Sequence, residues 1–125
     1  MIYAVGTDIV EVGRIERILK KWSGRFIGRV YTSEEVRYCT AMAFPAQHFA
    51  ARFAAKEAAC KGIGTGIGGG IGFTDVEVVT GPEGKPNLTF YGKAREIVDR
   101  AGITGSHISL SHTDRYAVAL VVFEM

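Results

Sequence analysis

Apolar and polar positions along the chain fall into segments of two periods, close to two and close to 3.6 residues. Residues 1 to 12 are apolar and largely β-branched until Asp8, then continue Ile9-Val10-Glu11-Val12, which predicts an N-terminal strand. Strand side chains alternate between faces, so Asp8 shares a face with Ile2, Ala4, Val10 and Val12. A carboxylate among core-seeking residues needs a compensating partner. After Gly13 the period lengthens: Ile15, Leu19 and Trp22, continued by Phe26, recur at helical spacing, with Arg14, Arg17 and Lys21 along an adjacent flank. Thr32-Ser33-Glu34-Glu35 is a cap followed by acidic first-turn residues, which predicts a second helix to about Met42, and Pro45 opens a third.

The third helix, about Pro45 to Lys61, is rich in alanine and so has high helix propensity and a smooth surface. Phe49 and Phe53 are its large apolar side chains; Glu57 lies one turn further along the same stripe and Lys61 a turn beyond. Gly62 ends it and begins a stretch with seven glycines up to Gly72, a loop whose main chain can approach another group closely. Strands Phe73 to Thr80 and Lys85 to Phe90 then flank the turn Gly81-Pro82-Glu83-Gly84, and a short helix from Gly92 to Ala101 stops at Gly102. Strands His107 to His112 and Tyr116 to Phe123 flank Thr113-Asp114-Arg115. The segment order reads as one α/β (α+β) domain over residues 1–125.

Composition agrees: 125 residues, 47% hydrophobic and 22% charged, suit one soluble globular domain. No apolar run approaches the ~20 residues of a membrane span. The start Met1-Ile2-Tyr3-Ala4-Val5-Gly6-Thr7-Asp8 has no basic leader, so a cytoplasmic location is expected. Cys39 and Cys60 lack C-x-x-C spacing and read as small apolar residues in a reducing compartment. A net charge of +2 is too small to announce a nucleic-acid binder. The charge is nevertheless uneven: Arg14, Arg17, Lys20, Lys21, Arg25 and Arg29 stand against Glu16 alone between Gly13 and Val30, which points to an anionic partner.

Gly64-Thr65-Gly66-Ile67-Gly68-Gly69 satisfies G-x-G-x-x-G, but a dinucleotide fingerprint needs a strand before it and a helix after it, and here the order is reversed. Asp8 and Glu57 are the pair to single out, because each interrupts an apolar face. Either each is paired with one of the many basic residues, or the two converge on a hard cation such as Mg²⁺ completed by waters and phosphates. Arg52, Lys56 and Lys61 share the helix of Glu57 and, with the glycine loop after them, can hold phosphates. His107 and His112 face opposite sides of a regular strand and cannot both serve one site from it. His48, His107 and His112 each read first as structural residues.

Two blocks resemble the small, single-domain holo-acyl-carrier-protein synthases, the short phosphopantetheinyl transferases. They are Gly6-Thr7-Asp8-Ile9-Val10-Glu11-Val12-Gly13-Arg14-Ile15 and the run from Arg52 through Lys56-Glu57-Ala58-Ala59-Cys60-Lys61 to Gly64-Thr65-Gly66. Gly84-Lys85-Pro86 and the ending Ile108 to Ala119 extend the similarity over nearly the whole chain. The resemblance implies a mostly antiparallel sheet packed on a long central helix, and transfer of 4′-phosphopantetheine from coenzyme A to a serine hydroxyl of an apo acyl carrier protein, releasing adenosine 3′,5′-bisphosphate in support of fatty acid biosynthesis. It implies that Asp8 and Glu57 hold Mg²⁺, that Lys61 acts on the phosphate or the proton, and that Arg52, Lys61, Gly64, Thr65, Gly66, Pro86 and His107 bind coenzyme A, with His112 a further participant. It implies docking of the acidic carrier on Arg14, Arg17, Lys21 and Arg25, and a homotrimer with active sites at subunit interfaces, with neither nucleic acid nor membrane as partner. The competing reading is a non-catalytic basic module that grips an acidic protein or nucleic acid through residues 14 to 29; it gives no reason for carboxylates on two apolar faces.

Overall fold

The computed structural model describes residues 1–125. In chain order it contains β1 (Ile2–Glu11), α1 (Val12–Val30), α2 (Ser33–Thr40), α3 (Pro45–Gly62), a 3₁₀ turn (Phe73–Asp75), β2 (Val76–Thr80), β3 (Pro86–Phe90), α4 (Gly92–Arg100), β4 (Gly105–His112) and β5 (Tyr116–Glu124). Alanine decides the packing. The helix α3 starts at Pro45, whose missing N–H costs nothing in a first turn. Its small side chains let neighbours close in on nearly every side, so eleven of its eighteen residues are buried, as expected of a helix at the centre of a domain. β1 and β5 cover one side, α1 and α2 others, and β2 touches it as well.

The strands form two antiparallel sheets rather than one: a three-stranded sheet in the order β1-β5-β4 and a separate β2-β3 hairpin. The larger sheet lies almost directly on the backbone of α3. A Cβ at Gly6 would sit 1.9 Å from the Ala58 carbonyl oxygen, and one at Gly62 would sit 2.7 Å from the Phe123 ring. Two glycines therefore set how closely sheet and helix approach. One hydrophobic cluster of 26 buried residues spans α3 and the inner faces of both sheets.

The strand parity read from the sequence holds for Ala4 and Asp8, which are half-buried, and for Val10, which is buried; Val12 already begins α1, and the parity fails for Ile2, which is 63% exposed. A register shift between Ile2 and Ala4 where β1 pairs with β5 turns the first residue outward. The expected first helix extends further, to Val30, with one interruption at Trp22 (φ −124°, ψ 23°) just before Ser23-Gly24. Phe73 begins in a 3₁₀ turn and the strand starts only at Val76. Cys39 and Cys60 are free and fully buried, and burial pushes their thiols up to about 12 and about 11, which suits the apolar role expected of them. The outer face of the β1-β5 pair stays uncovered within the chain: Val5, Ile9, Val118 and Leu120 are exposed there, with Tyr3 and Tyr116 beside them. No helix is long and apolar enough to cross a membrane.

Candidate active site

Close approach at Gly6 has a chemical consequence two residues later. Asp8 lies on the same face of β1 and reaches the last turns of α3, where Lys61 Nζ donates to Asp8 Oδ1 at 2.8 Å and to the Thr7 carbonyl at 3.3 Å. The Asp8 side chain is 17% exposed, against 53% for Lys61, so the carboxylate sits at the floor of the site and the ammonium at its mouth. Glu57, one helical turn before Lys61, is half-buried. Burial first, and then the negative charge of Asp8, push the Glu57 carboxyl above its ordinary value, while Lys61 and Arg14 oppose the shift. The hydrogen bond to Asp8 in turn raises Lys61. Two residues 49 positions apart in sequence thus share one electrostatic environment, and the first helix contributes Arg14 to it.

This donor set is two carboxylates with no imidazole or thiolate, and no third His, Cys, Asp or Glu completes a metal-binding cluster. Mutual repulsion of Asp8 and Glu57 favours a cation between them, and the oxygen-only set fits a hard divalent ion that keeps its other positions for water and phosphate oxygens.

The glycine loop leaves α3 directly beside this group. Its near end is pinned to the helix: the N–H of Gly64 bonds to the Lys61 carbonyl, and those of Thr65 and Gly66 bond to the Cys60 carbonyl. Gly64 and Gly66 have φ of +84° and +65°, which a side chain would strain. Both glycines and Thr65 border solvent, so the loop offers main chain and a hydroxyl to a ligand next to Lys61.

Lys56 does something other than hold phosphate. It is fully buried, pairs with the fully buried Glu35 at 2.8 Å, and donates to the Val76 carbonyl and to the Phe73 carbonyl at 3.0 Å. Burial lowers its pKa, and Glu35 offsets only part of that shift. Glu35 also completes the capping box of α2, accepting from the Thr32 N–H at 2.9 Å, and accepts from the Val78 N–H at 2.8 Å. The pair therefore locks α2, α3 and the far end of the glycine loop together. A capping-box pattern at Thr32-x-x-Glu35 was visible in sequence; that its glutamate would meet Lys56 was not.

A second group of candidates gathers elsewhere. Arg52, Pro86 and His112 line one cleft of about 290 Å³ together with Tyr38, His48 and Thr80. Arg52 and Glu57 are five helical residues apart, about 7.5 Å along the axis and about 140° around it, so within one chain this cleft opens on a different side of α3 from the carboxylate group. His107 joins neither: its Nε2 lies 3.2 Å from Glu124 Oε1 on the exposed side of β4. The opposite faces expected for His107 and His112 are found, and it is His112 that accompanies Arg52 and Pro86.

On α1, Arg14, Arg17, Lys21 and Arg25 are all exposed. Arg17 pairs with Glu11 at 3.3 Å on the surface, an interaction of small energetic weight. Arg25 borders an apolar groove of about 460 Å³ that Trp22, Phe26, Phe53 and Phe73 line between α1 and α3. A basic rim around an apolar floor thus runs from the kink of α1 towards the helix that carries Glu57.

Comparison with known proteins follows the same lines. Relatives named holo-[acyl-carrier-protein] synthase match almost end to end: that of Syntrophus aciditrophicus is 48% identical over 99% of this chain and 97% of its own length, and that of Koribacter versatilis is 49% identical over 99% of each. The crystal structure of the Neisseria meningitidis holo-[acyl-carrier-protein] synthase superposes with a TM-score of 0.91 at 37% identity, covering 100% of both chains. The Helicobacter pylori holo-[acyl-carrier-protein] synthase, solved in complex with coenzyme A, gives a TM-score of 0.85 at 31% identity over 96% of this chain and 99% of that one. The family model of the 4′-phosphopantetheinyl transferase superfamily matches residues 4–121, and the chain belongs to that family.

Proposed function

We propose that this chain transfers 4′-phosphopantetheine from coenzyme A to a serine hydroxyl of an apo acyl carrier protein, releasing adenosine 3′,5′-bisphosphate, and so serves fatty acid biosynthesis in the cytoplasm. The observation that carries the reading is the meeting of Asp8, Glu57 and Lys61 beside the pinned glycine loop in a member of this transferase family. Asp8 and Glu57 supply the two carboxylate ligands of a Mg²⁺ ion. When bound, that ion neutralises charge on the coenzyme A pyrophosphate. Lys61, at the mouth of the site, turns from Asp8 to a phosphate oxygen and stabilises the charge that grows as the serine hydroxyl gives its proton to water, its oxygen bonds to the β-phosphorus and the bond to the leaving bisphosphate breaks. The loop at Gly64, Thr65 and Gly66, whose N–H groups are held by the end of α3, presents a side-chain-poor wall and the Thr65 hydroxyl along which the substrate lies.

Arg52, Pro86 and His112 hold the phosphorylated nucleoside end, His112 taking the place first expected of His107. Arg52 and Glu57 point about 140° apart around α3, which favours a site assembled from two subunits, one giving the carboxylates and the other the cleft. The uncovered apolar face of β1 and β5 supports a homo-oligomer, which we propose is a trimer. The acidic carrier docks on Arg14, Arg17, Lys21 and Arg25.

The test is the intact mass of an apo acyl carrier protein after incubation with this protein and coenzyme A, with Mg²⁺ and in parallel with a chelator. A metal-dependent gain of one phosphopantetheine is expected. No gain with several apo carriers, from folded protein, overturns the reading in favour of a basic binding module.

A further inference from the structure

The cleft around Arg52 contains one side chain that the functional reading so far leaves without a task. His48, a turn before Arg52 on α3, faces the same space of about 290 Å³, so three groups that carry or can take up positive charge line it, Arg52, His48 and His112, and no carboxylate does. Arg52 is 97% buried in the sense that only 3% of it is exposed, and its bonding is incomplete. Its Nη2 donates to Thr80 Oγ1 at 2.7 Å and its guanidinium lies 4.1 Å over the Tyr38 ring, but its Nε is buried without an acceptor. The guanidinium is thus a permanent cation with an incomplete set of hydrogen bonds beside the cleft, and an anion there gains from its charge.

The His48 ring meets the His112 ring edge to face at 5.3 Å and the Tyr38 ring at 5.9 Å. These two, with Arg52, are the titratable groups that face it: Tyr38 from α2, Arg52 from its own helix and His112 from β4. Asp114 lies nearby but accepts from Gln47 Nε2 at 3.3 Å and does not line the cleft. Burial, then the positive charge of His112 and Arg52, lower the His48 pKa. A phosphate dianion reverses the sign of that environment and favours the imidazolium.

We propose that His48 is a specificity-determining residue of this cleft, contacting together with Arg52 and His112 the phosphate monoester on the ribose of the nucleotide substrate. The inference rests on the assignment of the Arg52–Pro86 cleft to coenzyme A. His48 then makes recognition of that monoester stronger at about pH 6.5, where the phosphate is still mostly a dianion and the imidazole accepts a proton, and weaker as pH rises towards about 8.

The experiment compares KM for coenzyme A with KM for its analogue lacking the ribose 3′-phosphate, using full-length wild type, His48→Phe and His48→Gln, at about pH 6.5, where the monoester keeps most of its second charge, and about pH 8. The wild type is expected to prefer coenzyme A by at least about tenfold in KM, with the larger preference at the lower pH. His48→Phe keeps the ring packing on Tyr38 and His112 but loses most of that preference, with kcat on the carrier and thermal midpoint unchanged. His48→Gln keeps a donor without a titrating proton, retains part of the preference and shows a shallower pH dependence; it also carries the test if His48→Phe fails to fold. A variant preference and pH slope equal to those of the wild type overturn the role of His48. A wild type that does not distinguish the two substrates overturns instead the assignment of the cleft, and intact turnover in the mass assay would still leave the transferase reading standing.

Discussion

At the scale of single residues, Lys56 and Glu57 show how little sequence adjacency says about fate. Consecutive helix residues point about 100° apart, so one is sealed against Glu35 while the other reaches the site with Asp8. Breaking the sealed pair by Lys56→Met leaves Glu35 charged and buried, and a loss of about 3–5 kcal/mol is expected in urea unfolding. Replacing both partners, Glu35→Leu with Lys56→Met, is expected to destabilise less than Lys56→Met alone, because no charge is then left unpaired; a double variant worse than the single one would contradict this account. Asp8→Asn and Glu57→Gln, by contrast, touch partly buried groups at the edge of the core. Each is expected to cut transfer to the carrier by about a hundredfold or more while leaving the unfolding midpoint near that of the wild type, and to weaken Mg²⁺ binding measured by calorimetry without substrate. Metal binding that is unaltered in both variants would remove them as ligands.

At the scale of elements, α1 is the clearest case of a segment whose pattern exceeds its structural need. Val12, Ile15 and Val30 bury its inner side, yet it carries six basic residues and exposes Trp22 at its kink. Surface ion pairs such as Arg17 with Glu11 contribute at most about 1 kcal/mol and do not account for such a concentration of charge. Reversing charge with Arg17→Glu and Lys21→Glu is expected to raise KM for the carrier by about tenfold and to flatten its salt dependence, with KM for coenzyme A unchanged. Equal effects on both substrates would mean that the helix supports the fold rather than the partner. Arg14 is kept out of this test because its charge also reaches Glu57.

At the scale of the whole molecule, the single chain presents two candidate half-sites and an uncovered apolar sheet face. Val118 and Leu120 on β5 stand beside Ile9 and Val5 on β1, a surface that a monomer in water has no reason to keep apolar. Leu120→Asp, which lies outside both half-sites, is expected to shift the protein to monomer in light scattering and to abolish transfer in step. A monomeric variant with full turnover would show that one chain completes the site.

Much of this was legible in local pattern, because local pattern is set by short-range geometry. Period-two alternation puts Asp8 on the inner face of β1, and spacing of four residues puts Glu57 and Lys61 on one side of α3, whatever packs around them. The same spacing rules separate His107 from His112 without any coordinates. They do not say which neighbour waits on each face, and there only the tertiary structure decided. Asp8 meets Lys61, 53 residues away, because Gly6 has no Cβ to hold the sheet off Ala58. Lys56 was assigned to phosphate by its position and belongs instead to the core, because α2 delivers Glu35 to that side of the helix. His112, not His107, joins Arg52 because the face of β4 that looks toward α3 is chosen by pairing with β5. Periodicity is a property of the chain with itself, whereas the partner of each face is a property of how distant segments fill space together.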